Sequence, residues 1–324
     1  MIWLWIAFLL FVFVMLALDL GVFHRHAHEV SMKEALCWSL VWVALALACG
    51  VFVYCLYEYR LWGLIAPGQP TGRQAATLFL SGYLVEESLS ADNIFVIAMI
   101  FTYFAVPSSY QHRVLFWGIL GAIVLRGLMI LAGIALIQQF GWIMYVFGAL
   151  LLYSAYRMLT ADEAPDPQKN PFVRLVKKLL PVTEELDGTR FIVKRDGRRF
   201  LTPLAIVLVS VEGADVLFAV DSIPAIFAIT DIPFIVFTSN IFAILGLRSM
   251  FFALSSILKK FHYLKISLSV LLGVIGLKML LKDYVHDLPG RDYITLGLIV
   301  LILGVGIVAS IRRTRRHAKA GQGT

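Results

Sequence analysis

Nine blocks of predominantly apolar residues divide this chain: 2–23, 36–57, 77–104, 114–137, 141–159, 201–229, 233–256, 263–282 and 293–311. Each is close to the roughly 20 residues a helix needs to cross about 30 Å of hydrocarbon. In a bilayer every backbone N–H and C=O must be satisfied within the segment, so apolar blocks of this length fold as helices. The composition agrees. The 324 residues are 60% apolar and 15% charged, where a soluble domain is roughly half apolar and a quarter charged. The expected fold class is all-α: a polytopic membrane protein with about nine transmembrane helices. The opening block follows Met1-Ile2-Trp3 without a basic lead and without a small-residue cleavage site, so it reads as a retained first span.

The basic residues are distributed unevenly. If successive links alternate sides, 21 of the 28 Lys and Arg fall on one side of the membrane and 4 on the other. The other three, Arg126, Arg248 and Lys278, lie within spans or at their ends. The positive-inside rule then makes the richer side cytoplasmic and the N-terminus external. The same asymmetry accounts for the net charge of +7. The basic tail after residue 311 reads as a topology anchor and an anionic-lipid contact, not as a nucleic-acid surface. Cys37, Cys49 and Cys55 lie in or beside one apolar block without metal or redox spacing, and read as packing residues.

Two of the blocks carry the same acidic signature. Glu86 precedes Asp92-Asn93 by six residues, and Asp215 precedes Asp221-Ser222 by the same interval, at an offset of 129. With Glu87 and Glu212, each block holds three acids. An ionised carboxylate at mid-bilayer costs about 2.5–3.5 kcal/mol even on insertion scales, so such residues are functional by default. Two further parallels follow in order. Leu125-Arg126-Gly127-Leu128-Met129 is echoed by Leu247-Arg248-Ser249-Met250, and the block from Phe140 to Leu159 aligns with that from Phe261 to Leu280. A repeat of three spans enters the membrane from opposite sides in its two copies, the plan of many secondary transporters. The expected organisation is therefore N-terminal spans in 1–76, repeat one in 77–159, a cytoplasmic loop in 160–200, repeat two in 201–282, and a last span with a basic tail in 283–324. Within the loop, residues 191–199 have the look of a small hairpin.

Helical spacing puts Glu86, Ser90 and Asn93 on one face, and Asp215, Ala219 and Ser222 on another, with Glu212 a turn earlier. Asp92 and Asp221 fall about 120° away on a continuous helix. Pro224 leaves the Val220 carbonyl without its donor, so an opened turn near Asp221 is expected to swing that carboxylate into the same cavity. Carboxylate, amide and hydroxyl oxygens suit a hard divalent cation such as Mg²⁺, Ca²⁺ or Mn²⁺. Met99 is a candidate thioether ligand, with packing the commoner role of such a residue. Arg126 and Arg248 are expected to balance the acidic charge, and either to neutralise the empty site or to compete with the ion. Asp19, near the end of the first block, reads as a residue of the cytoplasmic interface before it reads as a further member of the acidic cluster. The alternating His24, His26 and His28 read as a solvated loop before they read as a metal or pH site.

These motifs resemble the TerC family. The resemblance is carried by Glu86-Glu87-Ser88-Leu89-Ser90-Ala91-Asp92-Asn93-Ile94-Phe95-Val96 and by Asp215-Val216-Leu217-Phe218-Ala219-Val220-Asp221-Ser222-Ile223-Pro224-Ala225. The flanks ending in Arg126 and Arg248 add to it, and the Alx-like branch of bacterial inner-membrane proteins is the most similar. The resemblance implies manganese export and metal homeostasis, and a core of two inverted three-helix repeats. It implies metal-site residues Glu86, Asp92, Asn93, Glu212, Asp215, Asp221 and Ser222. The expected cargo is Mn²⁺ and the expected partners are the ion, protons and membrane lipids, with no nucleic acid. Rival readings are an amino-acid or proton transporter using the same acids, and an intramembrane aspartyl protease, whose Gly-x-Gly-Asp element is missing. A structural or sensory role is the plainest alternative. No Walker A sequence is present, so ATP-driven transport would need a partner.

Overall fold

The computed structural model describes residues 2–21, 32–66, 68–160, 171–179, 181–183, 186–195, 197–254, 263–285 and 290–320. It is built almost entirely of helices. In chain order these are α1 (Ile2–Gly21), α2 (Met32–Glu58), a single 3-10 turn (Leu61–Gly63), α3 (Gly72–Tyr103), α4 (Ser108–Gln139), α5 (Ile143–Thr160) and α6 (Pro171–Leu179). Strands β1 (Ile192–Arg195) and β2 (Arg198–Leu201) follow, then α7 (Pro203–Phe227), α8 (Pro233–Leu254), α9 (Leu264–Leu280), α10 (Lys282–Val285) and α11 (Arg291–Ala320). Every apolar block of the sequence coincides with a long helix. Among the described residues, α2, α4, α5, α7, α8 and α11 are long and apolar enough to cross a membrane. Of the others, α1 is apolar over Ile2–Leu18, α3 is interrupted by its acids, and α9 is 17 residues long.

Local chemistry sets the helix ends. Thr71 opens α3 with a capping box: its hydroxyl accepts from Gln74 N at 3.4 Å, while Gln74 Oε1 accepts from Thr71 N at 3.0 Å. Gly72 N donates to Glu58 Oε2 at 2.9 Å and so ties the start of α3 to the end of α2. A side chain at Gly72 would meet the Tyr54 carbonyl oxygen at 2.5 Å, which explains a glycine inside this first turn. Thr202 caps α7, and Pro203 occupies the first turn, where its missing N–H costs nothing.

Pro224 does not open α7. The helix is continuous from Pro203 to Phe227, so the expected unwound turn at Asp221 is absent. The physical reason is that the proline costs one hydrogen bond, to the Val220 carbonyl, while the bonds on either side hold the helix together.

The core lies between α3, α7 and α8. Of the apolar stretch of α8, 89% is buried inside the protein, against 28% for α2, α4 and α11. A helix buried on all sides belongs at the centre; helices with exposed apolar flanks face the lipid. Those flanks are rich in large side chains, such as Trp3 and Leu10 on α1 and Leu301 and Val305 on α11. Helix α5 packs along α9 through glycines: a Cβ on Gly276 would lie 2.9 Å from the Gly148 carbonyl oxygen. Small residues at such a crossing let two backbones approach, the usual way membrane helices gain packing energy.

The link between α5 and α7 is ordered where it is described. Strands β1 and β2 form the expected hairpin, extended to Leu201, with Ile192 opposite Leu201 and Arg195 opposite Arg198. Val173 of α6 and Leu201 of β2 share a small apolar cluster with Ala205 and Ile206, which seats both elements on the first turns of α7. Arg113 of α4 donates to Thr189 Oγ1 at 2.7 Å, and its guanidinium lies 5.4 Å from the centre of the Phe191 ring. His24, His26 and His28, and the side chain of Asp19, lie outside the described residues.

Candidate cation site

The acids do not gather at one point. Among the described residues, no three His, Cys, Asp or Glu side chains come together in a way that would hold a metal ion. They separate instead into a group held by a fixed cation and a group around a cavity.

The first group is built on Arg126. This residue is fully buried in the middle of α4. Its guanidinium forms a two-pronged pair with Asp215 of α7, Nη2 to Oδ1 at 2.8 Å and Nε to Oδ2 at 3.3 Å. Its Nη1 also meets Glu86 Oε1 of α3 in an ion pair and donates to Ser222 Oγ at 3.4 Å. One arginine therefore binds the two acids that stand at matching positions of the repeated motif. The planar guanidinium suits this, because it offers five donors in a fixed fork. Glu212, one turn before Asp215, lies against Gly121 of α4, where any Cβ would overlap its carboxylate. Its Oε2 is buried without a hydrogen-bond partner. Glu87 points elsewhere, toward Tyr83 and the face of α8 at Gly246. Arg248 is likewise buried within α8.

The second group lines a small cavity of about 10 Å³, room for roughly one water-sized occupant. Helix α3 contributes Leu89, Asp92 and Asn93; α7 contributes Phe218, Asp221 and Ser222. Each trio occupies positions i, i+3 and i+4, one face of a helix. Each member of the first trio is related to its counterpart in the second by the 129-residue offset of the acidic motif. Met158 of α5 and Leu272 of α9 complete the wall. Asn93 is 3% exposed, and its Oδ1 has no hydrogen-bond partner among the described residues. A buried oxygen left unpaired costs about 1–3 kcal/mol, so this oxygen is a ready acceptor on the cavity wall.

Of the nine residues expected at the site, Asp92, Asn93, Asp221 and Ser222 share the cavity; Glu86 and Asp215 share Arg126. Ser222 belongs to both groups. Glu212 stands beside the arginine-bound group against Gly121, and Arg248 is buried on a separate helix. Met99 packs among the apolar side chains around Ile97 and Ile100 and does not line the cavity.

Sequence reasoning missed three contributors. Ser154 of α5 is buried and donates to Asp221 Oδ1 at 2.5 Å, which fixes that carboxylate. Met158, one turn later, lines the cavity on the same helix face. Gly121 makes the space that Glu212 fills. A lone Ser or Met in an apolar helix carries no signal of its own. The only trace was a spacing of four residues ending beside Arg157.

Comparison with known proteins agrees with the membrane reading. The family model described as "Integral membrane protein TerC family" matches residues 71–318. A Myxococcus xanthus protein named "Uncharacterized membrane protein STKORF319" is 48% identical over 316 residues, covering 97% of this chain and 93% of its own. An Escherichia coli K12 protein named "Putative membrane-bound redox modulator Alx" is 45% identical over 321 residues, covering 98% and 96%. A Rickettsia bellii membrane protein is 40% identical over 310 residues, covering 95% and 97%. No solved structure matches the chain. With apolar helices throughout, an acidic motif repeated in α3 and α7, and a family match over most of its length, the chain belongs to the TerC family of integral membrane proteins.

Proposed function

We propose that this protein is a secondary transporter that exports Mn²⁺, or a related hard divalent cation, from the cytoplasm across the bacterial inner membrane. The observation that carries the proposal is the cavity shared by Asp92, Asn93, Asp221 and Ser222. Two carboxylates match the charge of a divalent ion, and an amide and a hydroxyl oxygen extend the donor set. The volume favours an ion that has shed most of its water over an amino-acid cargo, which needs a pocket many times larger. The paired trios from α3 and α7 support a core of two inverted three-helix repeats, α3–α5 and α7–α9, meeting at the cation. In this reading nine helices cross the membrane, the N-terminus is periplasmic, and the 160–200 link and the basic tail are cytoplasmic. The chain itself is not an enzyme. Protons replace the metal on the outward face, because carboxylates around an emptied site bind protons readily.

The decisive test is Mn²⁺ efflux from cells that lack their other manganese exporters. Wild-type protein lowers cellular manganese, while Asp92→Asn and Asp221→Asn variants, present at normal levels in the membrane, do not. Normal efflux by both variants sinks the proposal. The name carried by the relatives, a membrane-bound redox modulator, supplies a second reading. It predicts that thiol reagents or electron acceptors alter activity while the two Asn variants stay active, and the same strains distinguish it.

A further inference from the structure

We propose that Met158 is a specificity-determining ligand whose thioether biases the cavity toward Mn²⁺ and softer divalent ions over Mg²⁺ and Ca²⁺. The inference rests on the reading of this cavity as the cation site. It deepens that reading by naming what distinguishes one divalent ion from another.

The argument begins with the inventory of the wall. Asp92, Asn93, Asp221 and Ser222 offer oxygen, and the three apolar residues offer no donor. Met158 brings the one sulfur among the lining residues. An all-oxygen set suits Mg²⁺ and Ca²⁺ as well as Mn²⁺, so it leaves the choice of ion open. A thioether is a soft ligand that adds little for Mg²⁺ or Ca²⁺ and more for transition-metal ions. The small volume sharpens the effect, because an ion that enters must exchange water for wall atoms and Mg²⁺ gives up its water reluctantly.

The placement of Met158 is specific. It stands four residues after Ser154, whose hydroxyl holds Asp221 at 2.5 Å, so one face of α5 both orients a carboxylate and presents the sulfur. The oxygen donors come from matched positions on α3 and α7. The repeat counterpart of Met158 is Met279, which is buried in the main apolar cluster, and α9 presents Leu272 to the cavity instead, so only the α5 sulfur is among the lining residues. Asn93 Oδ1, buried and without a hydrogen-bond partner among the described residues, is a further donor oxygen on the same wall. Met158 also packs against the main apolar cluster. A purely packing residue would tolerate leucine, since Leu and Met are close in volume.

The test compares full-length wild type with Met158→Leu, purified in detergent, by calorimetric titration with Mn²⁺, Cd²⁺ and Mg²⁺. The expected result is a loss of Mn²⁺ and Cd²⁺ affinity on the order of tenfold or more, the usual size of losses from perturbing a metal's surroundings. Mg²⁺ affinity stays within about twofold, because the thioether contributes little to that ion. An unchanged Mn²⁺-to-Mg²⁺ ratio in Met158→Leu overturns the inference and leaves the cation site standing. Wild type that binds none of the three ions overturns both. Should the variant fail to fold, X-ray absorption at the cadmium edge decides. It is recorded on protein whose Cys37, Cys49 and Cys55 are replaced by Ser. One sulfur neighbour supports the assignment, and an all-oxygen shell refutes it.

Discussion

Replacement of Arg126 by Gln tests the charge balance on which the centre of the protein depends. The guanidinium is fully buried and is shared by Glu86 and Asp215. Removing it leaves two carboxylates in a low-dielectric interior with no compensating cation. Breaking a buried ion pair from one side costs about 3–5 kcal/mol, because the stranded charge keeps its desolvation penalty and loses its attraction. Glutamine fills much of the space and donates through its amide, so the loss reflects charge more than volume. At roughly 2 °C per kcal/mol for a chain of this size, Arg126→Gln in detergent melts about 6–10 °C below wild type. The check is the triple variant Arg126→Gln, Glu86→Gln, Asp215→Asn. It removes all three charges, so it recovers most of the loss, as replacing a buried ion group by neutral residues usually does. Thermal unfolding followed by size-exclusion fluorescence reads both. An Arg126→Gln protein that melts with wild type refutes the reasoning, as does a triple variant that melts lower still.

Other expectations follow from single contacts. Ser154→Ala removes the donor to Asp221 and is expected to weaken Mn²⁺ binding on the order of tenfold with little change in melting, read by calorimetry. Gly121→Ala places a Cβ on the Glu212 carboxylate and destabilises by about 1–3 kcal/mol; Glu212→Ala in the same chain relieves the clash and restores the melting temperature. Gly276→Val forces α9 away from the Gly148 carbonyl and lowers the melting temperature, whereas Gly297→Val, where nothing lies within 4 Å, does not. Thr71→Ala breaks the capping box of α3 and costs about 1 kcal/mol, seen as faster hydrogen exchange in the first turn.

Hydropathy alone located every long helix, some to within a few residues, as block 201–229 became Pro203–Phe227 and block 36–57 became Met32–Glu58; α4 begins six residues before its block 114–137, and α11 runs nine residues past its block 293–311, into the basic tail. The error at α3 is instructive. Its apolar block begins at 77, yet the helix begins at Gly72, because Thr71 and Gln74 cap it with polar chemistry that hydropathy does not register. The pairing of Glu86 with Asp215, and of Asp92-Asn93 with Asp221-Ser222, was legible because it is a repeat in the letters themselves. The division of those acids into an arginine-bound pair and a cavity pair was not. It depends on which face of α4 meets α7, and a helix apolar on nearly all sides leaves no periodic trace of its orientation. The same limit hid Ser154 and Met158. Pro224 misled for a simpler reason: it removes a single hydrogen bond, to the Val220 carbonyl, and α7 carries that loss without unwinding.

The division of the acids changes what six carboxylates in one membrane core mean. Glu86 and Asp215 share one fixed cation, Arg126, so they are placed to join α3 to α7 through α4 more than to bind a transported ion. Asp92 and Asp221 line the cavity, and Ser154 fixes the latter. Ser222 lies between the two groups, accepting from Arg126 Nη1 while its side chain lines the cavity. In the proposed reading, an ion that draws on the Ser222 oxygen competes with that arginine for the same lone pairs. Occupancy of the cavity then weakens one of the contacts that tie α4 to α7, although the two-pronged pair with Asp215 stays in place. Coupling between ion binding and helix movement therefore needs no long-range relay. It requires only that one hydroxyl be shared by a fixed cation and a mobile one, and the repeated motif places it there because Ser222 follows Asp221 as Asn93 follows Asp92.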